Sequence, residues 1–92
     1  MEISDALPGA DLVRAGFRDI ENGVESIEAL LVQIGAPRLR RLGFDVADTS
    51  RYPEDRLYEK LSELHGNAAH SQYNALIRRL VSFERAAECD RP

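Results

Sequence analysis

NAAHSQYNALIRRLVSFERAAE, residues 67–88, carries the longest uninterrupted helical pattern in the chain. At 3.6 residues per turn, Ala69, Tyr73, Leu76, Ile77, Leu80, Phe83 and Ala87 fall on one stripe, and Val81 widens it. Arg78, Ser82, Arg85 and Cys89 share the opposite face. A stripe broader than a coiled-coil seam predicts packing against at least two other helices, and so places this long C-terminal helix at the centre of the fold. Asn67 follows Gly66 and is the expected N-cap, its side-chain oxygen accepting from a first-turn N–H. His70 falls in the first turn beside Ile77 and Val81, a half-buried position. Asn74, one turn on, can hydrogen-bond it, so His70 and Asn74 form a candidate structural polar pair.

Outward from that helix, the preceding segments each bring a start or stop signal. Pro53 opens a helix over 53–65 with Leu57, Leu61 and Leu64 on its inner face and Tyr58 beside them, and His65-Gly66 closes it. Asp55, Glu59 and Glu63 form its solvated outer strip. Ser26 caps a helix over 26–34, in which Ile27, Leu30, Leu31 and Ile34 are the main stripe and Ala29 and Val32 add apolar surface elsewhere. Gly35 supplies a left-handed C-terminal position and Pro37 the first turn of a short helix over 37–42, closed by Gly43. Phe44 and Val46 anchor a crossing loop with a polar tip, Ala47 to Ser50. Leu12, Val13, Gly16, Phe17 and Ile20 mark a first amphipathic helix over 10–22 that stops at Asn22-Gly23. Gly16 on its inner stripe costs about 1 kcal/mol relative to alanine, which close approach of another helix would offset.

The pattern thus predicts an all-α fold: a compact bundle of about five helices (10–22, 26–34, 37–42, 53–65 and 67–88) and no strand. At 92 residues, 43% hydrophobic and 30% charged, the chain fits one domain, residues 1–92, with 1–9 and 89–92 frayed. No run approaches the roughly 18 apolar residues of a membrane span, and the first residues lack the basic and apolar regions of a secretory signal, so a cytoplasmic location is expected. The single Cys89 cannot form an internal disulfide. The net charge is −4, with two arginines against seven acids in residues 1–28 and a near balance beyond. Arginine outnumbers lysine eleven to one, an excess that fits ion-pair or phosphate recognition and equally the codon composition of the source genome, which is the preferred reading.

Three chemical constellations fail on geometry. His65 and His70, with Glu63 nearby, are five residues apart across a helix break, which is neither the i,i+4 pair nor the knuckle of a zinc site; no metal or cofactor is expected. Ser71 and His70 are adjacent in a helix and point about 100° apart, a poor nucleophile and base. No glycine-rich phosphate loop occurs, so no enzymatic activity is expected. Residues 26–43 outline a helix-turn-helix with Arg38, Arg40 and Arg41 on the second helix, yet six residues make less than two turns and the domain is acidic overall. The sequence therefore reads as a non-enzymatic protein-interaction or regulatory module, with self-association open to it. Arg38, Arg40, Arg41 and Tyr52 are the candidate partner contacts; a small DNA-binding regulator using the three arginines is the alternative.

Overall fold

The computed structural model describes residues 3–89, and among them every regular element is helical. Four α-helices follow in order: α1 (Ala10–Glu21), α2 (Ile27–Arg41), α3 (Pro53–His65) and α4 (Ala69–Cys89), with one 3-10 turn, Gly66–Ala68, leading into α4. The bundle therefore has four α-helices and not five.

The difference lies at Gly35-Ala36-Pro37, where the sequence signals a stop and a restart. Gly35 does not adopt positive φ, and α2 runs through it and through Pro37. An interior proline removes one helical donor and crowds the preceding turn, at a cost of about 3 kcal/mol. Pro37 itself is exposed. Continuing the helix carries Ala36 and Leu39 into the core, where they are 2% and 0% exposed. Burying a leucine side chain contributes about 1.5–3 kcal/mol, enough with Ala36 to offset the proline. Gly35 is there for proximity: a Cβ on it would lie 3.0 Å from both Leu80 Cδ1 and Glu84 Oε2 of α4.

α4 does pack against more than one helix, since α2 and α4 each meet all three others. α2 is the more deeply buried of the two, with eight of its fifteen residues buried against five of twenty-one in α4. Ser26 caps it as its sequence position suggests, accepting from Ala29 N at 3.0 Å, and its hydroxyl donates to Asp19 of α1 at 2.6 Å. The α4 stripe faces inward: Ala69, Leu80, Phe83 and Ala87 are buried and Tyr73, Leu76 and Ile77 half-buried against them. Arg78, Ser82, Arg85 and Cys89 are exposed. Asn67 does not cap α4, because it lies inside the 3-10 turn that runs directly into that helix. In α3, Leu57 and Leu61 are buried, but Leu64 is 66% exposed at the end of the helix, beyond the reach of its neighbours.

Gly16 sets the approach of α1 to α2, since a Cβ there would meet Val32 Cγ2 at 2.4 Å and the Glu28 carbonyl oxygen at 2.5 Å. Gly9, at φ 74°, turns the chain into α1 with its α-carbon against the Arg79 carbonyl of α4. Residues 3–9, a frayed lead-in by sequence pattern, instead carry two turns (Leu7 N to Ser4 O and Ala10 N to Leu7 O, both 3.2 Å), with Ile3 and Leu7 packed against the core. Met1, Glu2 and residues 90–92 lie outside the described residues.

Candidate functional site

The segment between α2 and α3 has no regular structure, and two polar side chains of α2 fix its course. Gln33, 6% exposed, donates from its amide to the Ala47 carbonyl and accepts from Thr49 N at 3.0 Å. Arg40 donates from Nε and Nη2 to the Val46 carbonyl at 2.9 and 2.8 Å, and from Nη2 to Asp48 at 2.7 Å. With residues 46–49 held in this way, Val46 is buried and Phe44 inserts between α1 and α4, its ring 5.9 Å from those of Phe17 and Phe83. The anchors expected at Phe44 and Val46 are in place, and the clamps explain why they hold: an extended backbone must find acceptors and donors somewhere.

Pinned there, the segment forms one wall of a cleft of about 1050 Å³ whose other walls are α1 and the lead-in. Its floor is apolar, built from the half-buried Ile3, Phe17, Ile20 and Phe44. Its rim is charged. Asp5 and Arg14 pair with each other, while Glu21 and Asp45, both exposed, have no ion-pair partner among the described residues. The rim thus retains two uncompensated negative charges over an aromatic and aliphatic surface. The sequence carries a trace of this in the acid excess of residues 1–28, but Phe44 and Asp45 reach the site only through the clamps on α2.

Arg38, Arg40 and Arg41, close in sequence, divide between two destinations, the segment after α2 and the acids of α4. Arg40 holds the segment as described. Arg38 donates to Glu88 at 2.8 Å and lies 3.9 Å from Glu84, both on α4. Arg41 is within Coulombic reach of Glu84. Because α2 is continuous, no turn separates two helices there and the helix-turn-helix outline is absent. Tyr52 is 60% exposed at the start of α3, with the Arg51 guanidinium 5.7 Å from its ring centre. His70 Nε2 and Asn74 Nδ2 are 3.2 Å apart, but both residues are exposed and not half-buried. His65 is exposed at the end of α3, and among the described residues no group of three or more His, Cys, Asp or Glu is placed to hold a metal ion.

Two further features escape the sequence pattern. Arg56 of α3 pairs with Glu25, and holds that carboxyl below the ordinary glutamate range; Lys60 adds a contact at 3.8 Å, so the turn between α1 and α2 is tied to α3. Glu84 of α4 is 4% exposed, and burial pushes its carboxyl above the ordinary range against the opposing pull of Arg38 and Arg41. Among the described residues no helix is long and apolar enough to cross a membrane. The chain matches no family model, no curated protein and no solved structure.

Proposed function

We propose that the chain is a small, non-enzymatic protein-interaction module of the cytoplasm that takes a basic, apolar segment of another protein into the cleft between α1 and residues 44–47. The observation that carries this reading is the pairing of an aromatic floor with two uncompensated acids, Glu21 and Asp45, on its rim. Protein-binding surfaces favour aromatic anchors at the centre with charge at the edge, where it steers and orients the partner. A lysine or arginine flanking an apolar anchor complements both features. The nucleic-acid reading has less support, because Arg38 and Arg40 already bond acceptors of this chain and the net charge is −4.

The test is affinity purification from native cells with three baits: wild type, Glu21→Lys/Asp45→Lys and Arg78→Ala, each checked for helicity. A protein retained by wild type and Arg78→Ala and lost by the double variant supports the cleft. Exposed charges contribute about 0.5–1 kcal/mol each, so reversing both should weaken the purified complex roughly tenfold or more. Equal capture by all three baits, or recovery of nucleic acid in place of protein, refutes it.

A further inference from the structure

We propose that Glu84 is a proton-responsive latch on the seam between α2 and α4, closed when its carboxyl is protonated and loosened when it is ionised. Glu84 lies one turn beyond Leu80 and three residues before Ala87, on the inner stripe of α4, and is 4% exposed. Its Oε2 is buried and has no hydrogen-bond partner among the described residues. It reaches α2 where that helix has no side chain, over Gly35, whose missing Cβ would stand 3.0 Å from the same oxygen.

The charged groups that face Glu84 are Arg38 and Arg41 on α2, with Glu88 one turn on in α4 competing for Arg38. Arg38 gives its short bond, 2.8 Å from Nη2, to the exposed Glu88, and its Nη1 stands 3.9 Å from Glu84 Oε1. A buried carboxylate with one oxygen bare and the other at that distance is poorly compensated for the water it has lost. Protonation removes the charge and most of that cost. Ionisation leaves two ways to lower it, drawing Arg38 away from Glu88 or admitting water to the seam, and both disturb the last turns of α4 against Gly35.

The sign of the pH dependence follows from the raised position of this carboxyl. A group that binds its proton more tightly folded than unfolded stabilises the fold below its unfolded value, and the contribution is lost as pH rises through its folded value. Most carboxylates in ion pairs behave in the opposite way, so Glu84 stands out against them.

Urea unfolding of the full chain and of Glu84→Gln between pH 4 and 7.5 tests the latch. The ratio of folding constants, variant over wild type, should lie near one at the acid end and rise roughly tenfold or more by pH 7.5. Carbon-13 NMR of wild-type glutamate carboxyls supplies the check that needs no variant: Glu84 should titrate above the ordinary glutamate range, and the amides of residues 35–38 and 84–88 should follow the same inflection. A ratio independent of pH, or a Glu84 carboxyl that titrates within the ordinary glutamate range, overturns the proposal.

Discussion

Replacing Gly16 with alanine should destabilise the protein, although alanine is the better helix former, and the size of the effect follows from what the new methyl would meet. Gly16→Ala gains about 1 kcal/mol in helix propensity. Its Cβ would stand 2.4 Å from Val32 Cγ2 and 2.5 Å from the Glu28 carbonyl oxygen, where ordinary carbon contacts lie near 3.5–4.0 Å. The oxygen belongs to the α2 backbone and is held in that helix's own ladder, so relief requires α1 to retreat by about an ångström. Such a gap forfeits roughly a quarter to a half of each dispersion contact along the seam. Overpacking costs about 1–3 kcal/mol, and against backbone that cannot swing aside the upper part of that range, about 2–3 kcal/mol, applies, leaving a net loss of about 1–2 kcal/mol after the propensity gain. In a domain of this size that lowers Tm by roughly 4–15 °C. Gly35→Ala is the internal control. Its Cβ would meet only side-chain ends, Glu84 Oε2 and the two Leu80 δ-carbons at 3.0–3.1 Å, which can swing aside, so the propensity gain should leave it within about 1 kcal/mol of wild type. Thermal and urea melts followed at 222 nm decide between them. A Gly16→Ala protein at least as stable as wild type, or a larger loss at Gly35 than at Gly16, would refute the view that backbone proximity sets the α1–α2 spacing.

Leu80→Ala removes a 3% exposed side chain from the α4 stripe and should cost about 2–5 kcal/mol in a urea melt, whereas Arg78→Ala on the outer face should stay within about 0.5 kcal/mol. Arg40→Ala deprives the Val46 carbonyl of both its guanidinium donors and frees Asp48. The loss should be about 1–3 kcal/mol, and hydrogen exchange at residues 44–50 should quicken while α4 keeps its protection.

Helical periodicity made α4 legible because its inner face is almost wholly apolar, and the phase of Ala69, Leu80, Phe83 and Ala87 survives in the fold. It left α2 less conspicuous, because a helix buried on most sides shows no single apolar stripe. Gly35 and Pro37 misled for a related reason. Both are ordinary punctuation in isolated chains, but tertiary packing overrides local preference where continuing the helix buries Ala36 and Leu39. Leu64 shows the converse, a residue in phase with the stripe whose helix ends before any neighbour reaches it. Glu84 was passed over because carboxylates are rarely buried. The signal was nonetheless present, since it stands four residues after Leu80 and three before Ala87, inside the stripe.

The candidate site was less legible than the fold because it depends on pairings far apart in sequence. Arg38, Arg40 and Arg41 read as a basic cluster only while their partners are unknown. Once Glu88, Val46 and Asp48 are brought alongside, Arg38 and Arg40 are engaged inside the chain, and the charge they offer a partner is correspondingly reduced. On the rim of the cleft the opposite happens. Among the described residues Arg14 is the one cation lining it and pairs with Asp5, so Glu21 and Asp45 keep their charge beside the half-buried Phe17 and Phe44. A charge already satisfied within the fold gives little to an incoming partner, because binding must break one interaction to form another. An unsatisfied one beside apolar surface gives both steering and a reason to close. Folding thus draws basic residues that the sequence makes conspicuous into internal contacts, and assembles the acidic, aromatic cleft of the proposed function from three separate stretches of chain.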